Sequence, residues 1–211
     1  PLPILRKAGM VHCVSEQICQ VVLSLGVEQG KTAVIHPAVD PDFFQPAANL
    51  GKDGKLRLIT TGALVWVKGY EYLLQAVQQL QQAQLDFELN IIGEGVERQR
   101  LLYTIADLGL AGRVNLLGRL EPAQVLDWLQ RSDVFVLSSL SEGISNAVLE
   151  AMSCGLPVVT TDCGGMREAV SNGVEGFVVP TRAPAGLSAA LSKLAADPTL
   201  RERMGQAGRE R

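Results

Sequence analysis

Histidine is almost missing from this chain, with two among 211 residues, and none of the four cysteines, Cys13, Cys19, Cys154 and Cys163, stands in a C-x-x-C pair. Zinc sites of the His/Cys kind need four ligands at short spacings, so no metal site is expected. Four cysteines without a disulfide framework suit a reducing compartment, and a cytoplasmic location is the expectation. No apolar run approaches the roughly 20 residues that cross a bilayer, and no secretory leader is recognisable. A net charge of −3 and a pI near 5.5 give no general attraction to nucleic acid or to an anionic membrane. Repeats and low-complexity tracts are lacking too, QQLQQAQ being the polar face of a helix. The opening PLPILRKAGM does not read as a natural start, so a trimmed end is expected.

What is present is a chain with a core. At 47% hydrophobic and 19% charged residues, it is long enough for one large domain or for a domain with a fragment. Val11–Val14 reads as a short strand, then a helix capped by Ser15 and stopped by Gly26, then a strand at Thr32–Ile35. Pro37, Pro41 and Pro46 make a linker-like path through HPAVDPDFF, and Asn49–Lys55 reads as a polar loop. From Leu56 a regular alternation begins. Strands are expected at Leu56–Thr60, Phe87–Ile92, Val114–Leu117, Val134–Leu137, Val158–Thr160 and Gly176–Val179. Helices are expected at Tyr70–Gln82, Val96–Leu108, Pro122–Gln130, from Ser145 or Asn146, around Pro184–Ala195 and from Pro198. The Tyr70 helix carries Leu73, Leu74, Val77 and Leu80 on one stripe. Strands alternating with helices at this spacing predict a doubly wound parallel sheet of the Rossmann-like α/β class.

Nearly every notable polar residue falls where a strand ends and a helix begins, which is where ligands bind in such sheets. Glu142 and Glu150 stand eight apart, with Gly143 after the first and a helix start at Ser145 or Asn146. The unpartnered amides and dipole of that start favour a phosphate, and Gly143 permits a turn that a β-carbon would obstruct. Two carboxylates flanking a phosphate site suit the hydroxyl groups on either side of a diphosphate, the layout of a nucleotide-sugar. A solvated acidic face is the plainer reading. Lys68, beside the next helix start in GALVWVKG, either meets a phosphate or is an exposed lysine. Ile92-Gly93-Glu94-Gly95 is a tight turn or lies near a ligand; Arg98 occupies the position where a dinucleotide fingerprint needs its third glycine. Arg119 and Leu120 follow another strand as modest ligand candidates, and Arg119 reads equally well as surface charge. His12 and His36 read as structural or solvated, and Trp66 and Trp128 as packing residues.

EGISNAVLEAMSCGLPVVTTDCGGMREAV closely resembles the Glu-x7-Glu signature and following segment of the retaining glycosyltransferases of family four, which have the two-domain GT-B architecture. The resemblance covers about Pro37 to Ala196. It implies that this chain is the C-terminal, donor-binding half: residues 1–36 are a remnant of the N-terminal domain and interdomain segment, and residues 37–211 bind the donor, a UDP- or GDP-sugar. In that family the first glutamate, here Glu142, contacts the donor sugar, and the second, here Glu150, the ribose. Lys68 matches the diphosphate lysine, so Glu142 and Lys68 are the catalytic candidates. Donor binding is carried over to Gly62, Lys68, Gly93, Arg119, Leu120, Glu142, Gly143, Ile144, Ser145, Asn146 and Glu150. Gly164 and Gly165 are read as letting backbone approach the donor sugar, with a plain strand-to-helix turn as the alternative, and the two readings are compatible.

The family's arginine is replaced by Ala63, and its Pro-Asn-Gly-Val-Asp crossing keeps only Pro37, Val39 and Asp40. Transfer with retained configuration, without a cofactor or essential metal, to a sugar or lipid-linked acceptor is implied. The missing N-terminal domain would supply the acceptor site and any peripheral membrane contact. Two rival readings remain, a GT-B nucleotide-sugar epimerase and a non-catalytic nucleotide-sugar-binding module.

Overall fold

The computed structural model describes residues 2–47 and 54–211, so most of the polar loop expected at Asn49–Lys55 lies outside the described residues. The chain opens with helix α1 (Leu2–Lys7), where the sequence pattern predicts no element, followed by β1 (Val11–Cys13), α2 (Glu16–Ser24) and β2 (Thr32–Val34). β1 and β2 pair in parallel as a separate two-stranded sheet. Ser15 caps α2 as its sequence suggests, its Oγ accepting from the Ile18 amide at 3.1 Å. Cys13, Cys19, Val22 and Val27 form a small core of their own here.

The chain continues through β3 (Leu56–Thr61), α3 (Tyr70–Gln82), β4 (Phe87–Ile92), α4 (Arg98–Asp107), β5 (Val114–Gly118), α5 (Pro122–Gln130), β6 (Val134–Leu137) and α6 (Asn146–Ser153). It ends with β7 (Val158–Thr161), α7 (Met166–Ala169), β8 (Gly176–Val179), α8 (Pro184–Ala196) and α9 (Pro198–Glu210). The six strands β3–β8 form one parallel sheet in the order β5-β4-β3-β6-β7-β8. β3 and β6 are neighbours although their connections run to opposite edges, which makes the gap beyond their carboxyl ends the topological switch point.

Alternation along each strand feeds two cores. Leu56 and Leu58 of β3 and Val134 and Val136 of β6 pack with Leu73, Leu74, Val77 and Leu80 of α3 and with Leu187, Leu191 and Leu194 of α8. Ile59, Phe135 and Leu137 point to the other face, against Leu129 of α5, Val148, Ala151 and Met152 of α6 and Met166 of α7. Helices on both faces explain why the central strand β6, Val134–Leu137, is apolar throughout. Each fully buried Leu or Phe contributes about 1.5–3 kcal/mol, so the sheet forms a stiff floor for the loops at its carboxyl edge.

Several element ends differ from expectation by one residue, and the start of α4 differs by two for a clear reason. α4 begins at Arg98 and not at Val96, because the Glu97 amide is committed to the Leu64 carbonyl at 3.0 Å and the Arg98 amide to Gly95 at 3.2 Å. That leaves Val96 on a loop, 86% exposed.

Candidate functional site

The loops after β3 and β6 meet over the switch point and are stitched together. The Leu140 amide donates to the Val67 carbonyl at 2.7 Å, and Ser138 Oγ donates to the Lys68 carbonyl at 2.9 Å. Gly69 follows a 3-10 turn at Trp66–Lys68 with φ of +61°, and a β-carbon there would lie 2.4 Å from the Ser138 carbonyl oxygen. Only glycine accommodates both the backbone angle and the approach.

This stitching delivers Lys68 to Glu142. Lys68 Nζ donates to Glu142 Oε1, and Ser139 Oγ donates to the same oxygen at 3.2 Å. Both charged side chains are about four-fifths buried, at 20% and 18% exposed, so water screens the pair less than a surface bridge. The Ser139 carbonyl is held in turn by Thr161 Oγ1 at 2.6 Å. Tyr70, beneath this pair, donates to the Gly62 carbonyl at 3.1 Å; burial first, and the Glu142 charge second, push its phenol well above the usual range.

The Glu142–Gly143 segment is also clamped from the β7–α7 loop. The Gly165 amide donates to the Gly143 carbonyl at 3.0 Å, and a β-carbon on Gly164 would come within 1.5 Å of the Glu142 carbonyl oxygen. A β-carbon on Gly164 would meet protein backbone and one on Gly165 would meet Ser15, so packing at this strand-to-helix turn already requires both glycines. Gly143 likewise leaves no room for a β-carbon. Its φ is not positive, and what requires glycine is Val14, whose Cγ2 would lie 2.5 Å from a β-carbon.

α6 starts beside this clamp. Ser145 occupies the N-cap position and is buried, but its side chain makes no capping bond. Asn146 is exposed at the first helical position, and the Asn146 and Ala147 amides find no acceptor among the described residues. One turn further on, Glu150 is half-buried; no donor among the described residues reaches its carboxylate, and burial pushes its pKa up. Ile144 packs against the core that Phe135 and Leu137 share with α5, α6 and α7. The site thus offers free amides, a paired cation and an unpaired carboxylate along one loop and helix start.

Gly93 and Gly95 are explained by packing. A β-carbon on Gly93 would lie 1.9 Å from the Gly62 carbonyl oxygen, and one on Gly95 2.3 Å from that of Leu64. Gly93 also donates its amide to Gly118 at 2.8 Å, so the three loops after β3, β4 and β5 form one continuous rim. Arg119 on that rim is exposed, and Leu120 packs on the core that includes Leu129 and Phe135, away from Lys68 and Glu142 in chain but on the same edge of the sheet. Ala63, in place of the expected arginine, is exposed.

Trp128 packs as expected, but Trp66 does not: it is 63% exposed because Leu64, fully buried, is the residue of that loop that turns into the core. His12 Nε2 lies 2.9 Å from the Ile35 carbonyl, a structural contact. The sequence reading missed Ser139 and Tyr70, the residues that fix Glu142 and Gly62. The run Ser138-Ser139 before Glu142 was the available signal. All four cysteines are buried and free. Among the described residues no group of three or more His, Cys, Asp or Glu side chains is placed to hold a metal ion, and no helix is long and apolar enough to cross a membrane.

Comparison with known proteins agrees with this architecture. Residues 42–211 match the model of the family described as glycosyl transferases group 1. D-inositol 3-phosphate glycosyltransferase of Streptomyces avermitilis is 32% identical over 92% of this chain and 45% of its own length. Glycogen synthase of Mycobacterium tuberculosis is 29% identical over 96% of this chain and 49% of its own length. The chain spans about half the length of these curated relatives. Among solved structures, sucrose-phosphate synthase from Thermosynechococcus elongatus superposes with a TM-score of 0.91 at 26% identity, covering 99% of this chain and 54% of that one. HepE of Anabaena, solved with UDP and glucose, shares the fold with a TM-score of 0.89 at 21% identity, covering 99% of this chain and 60% of that one. With the family model matching most of its length, the chain belongs to the group 1 glycosyl transferases.

Proposed function

We propose that this chain is the donor-binding part of a retaining glycosyltransferase, which moves a glycosyl group from a nucleotide-sugar to a sugar or lipid-linked acceptor. The observation that carries the reading is the meeting of Lys68 and Glu142 beside the unbonded amides of α6 and the unpartnered carboxylate of Glu150. A diphosphate needs positive partners on its oxygens. Lys68 supplies a full charge and the Asn146 and Ala147 amides supply the helix end, so the leaving diphosphate is stabilised as its charge grows. Glu142 then accepts from hydroxyls of the transferred sugar and Glu150 from the ribose. Arg119 and Leu120 border the base, while Gly62, Gly93, Gly143, Ile144, Ser145 and Asn146 line the diphosphate and sugar with backbone.

Residues 1–36 are proposed as the remnant of an N-terminal domain and crossing segment, and residues 37–211 as the donor domain. The separate two-stranded sheet and small core of the first segment support that division. Anomeric analysis of product made by the whole protein from a UDP- or GDP-sugar tests the reaction: retained configuration supports it, and inversion, or epimerised donor without acceptor, refutes it. Ala63, exposed where a second cation is expected, favours a non-catalytic binding module as the alternative. Donor binding without transfer by the whole protein would select that alternative.

A further inference from the structure

Glu168, on α7, reaches out of its own unit. Its carboxylate accepts hydrogen bonds from the Glu16 amide at 2.9 Å and the Gln17 amide at 3.0 Å, and His36 Nε2 lies 3.1 Å from Oε2. Those amides are the first two of α2, and the third, Ile18, is held by Ser15 Oγ at 3.1 Å. A helix start leaves its early amides without intrahelical partners. In α2 a residue 152 positions from Glu16 satisfies two of them. The bond is charge-assisted and sits at the positive end of the α2 dipole.

The same contact brings the α2 start onto the candidate site. A β-carbon on Gly165 would lie 2.4 Å from Ser15 Cβ and 3.0 Å from Ile144 Cγ1, and Val14 fills the space in front of Gly143. Gly165 in turn holds the Gly143 carbonyl, next to Glu142. Val14 and Ser15 thus cap the loop that carries Glu142, and Glu168 fastens them there.

We propose that Glu168 is a positioning residue: its carboxylate latches the N-terminus of α2 to α7 and so holds Val14 and Ser15 against the Glu142–Ile144 loop in the arrangement that binds the donor. The link to the donor rests on the function proposed above; the latch itself does not. Partial burial pushes the Glu168 carboxyl up, but the Glu16 and Gln17 amides and His36 outweigh it and hold the group below the usual carboxylate range. Besides His36, the charged groups that share an adjoining cavity of about 470 Å³ with it are Arg209, Glu210 and Arg211, and Nη2 of Arg211 donates to the Glu168 carbonyl at 2.9 Å.

The test is NMR on this chain and its Glu168→Ala and Glu168→Gln variants. In Glu168→Ala the Glu16 and Gln17 amides exchange at least about tenfold faster, while Leu187 and Leu191 in the sheet-covering helix α8 keep wild-type protection, as local opening requires. In the wild type the Gln17 amide shift titrates with an inflection below the ordinary Glu value of about 4.3, and that inflection is gone in Glu168→Gln, which keeps the shape but not the charge. The Val14 and Ile144 methyl signals move in both variants, and the affinity for UDP or GDP falls at least about threefold in Glu168→Ala. Unchanged exchange at Glu16 and Gln17, or no such inflection, overturns the latch. Altered exchange with unchanged nucleotide affinity overturns the positioning role. If neither UDP nor GDP perturbs any wild-type signal, the donor reading fails, and the exchange and pH readouts still decide the latch.

Discussion

Glu142→Gln should tighten the binding of a bare nucleoside diphosphate while weakening that of its sugar conjugate. In the free chain Lys68 Nζ is held by Glu142 Oε1, and both side chains are about four-fifths buried. A diphosphate arriving at the α6 start must share that ammonium with a carboxylate of its own sign. Two charges about 4 Å apart at an effective dielectric of ~20 interact by ~4 kcal/mol before desolvation; the net worth of one charge-assisted hydrogen bond is about 1.5–3 kcal/mol. Removing the competitor and its repulsion should recover a fraction of this, about 1 kcal/mol or roughly fivefold in affinity. The sugar conjugate gains the same relief but loses its charge-assisted Glu142 contact of about 1.5–3 kcal/mol, so its affinity should fall by a net of roughly 0.5–2 kcal/mol, about twofold to thirtyfold. Lys68→Ala should weaken the diphosphate about tenfold to a hundredfold, and more than it weakens the nucleoside, because it also leaves Glu142 facing the phosphates unneutralised. Titration calorimetry with UDP, GDP and their sugar conjugates, at two ionic strengths, reads all three effects. Equal loss for both ligands in Glu142→Gln would refute the competition, and diphosphate affinity untouched by Lys68→Ala would refute the assignment of Lys68.

Three further outcomes follow from neighbouring geometry. Glu150→Gln should raise Tm at pH 7, because burial pushes the Glu150 pKa up and its ionisation therefore opposes folding. That gain should vanish as pH falls below the unfolded value of about 4.3, where the carboxyl is protonated in both states, and a pH series of melts checks the sign. Gly164→Ala should cost about 2–4 kcal/mol in urea titrations, since its β-carbon would meet the Glu142 carbonyl oxygen at 1.5 Å, whereas Gly112→Ala, also at positive φ but with nothing within 4 Å, should cost only about 1 kcal/mol. Arg209→Ala should expose the Pro37–Gln45 crossing to proteolysis, because that guanidinium donates to the carbonyls of Phe44 at 2.8 Å and Pro41 at 3.0 Å and ties them to Ser153 of α6.

The sheet could be read from sequence to within about a residue at most strand ends, because strands covered on both faces are short and mostly apolar, and because glycines and helix starts punctuate them. β4, β6 and β8 have the expected bounds, and α3 buries the stripe of Leu73, Leu74, Val77 and Leu80. Local signals also sufficed for Ser15 and Pro122 at helix starts. What sequence could not show is what the strand order brings together. Lys68 and Glu142 are 74 residues apart and meet only because β3 lies beside β6. The need for glycine at Gly93, Gly143 and Gly164 arises from residues of other loops, so a turn or a ligand looked like sufficient reason for each. Glu168 follows the same rule, since no pattern near Ser15 says that its helix is capped from α7.

The central claim is that this fold holds a nucleotide-sugar donor between Lys68, the α6 start and Glu150, and thermal unfolding of this chain against a panel of nucleotide-sugars tests it most directly. A ligand bound only by the folded state at 100 times its Kd adds about 2.7 kcal/mol of stability. At least one UDP- or GDP-sugar should therefore raise Tm by several degrees, and Lys68→Ala combined with Glu150→Ala should abolish the shift. A panel in which no nucleotide-sugar moves Tm at millimolar concentration, or one whose shift survives both substitutions, would contradict the account.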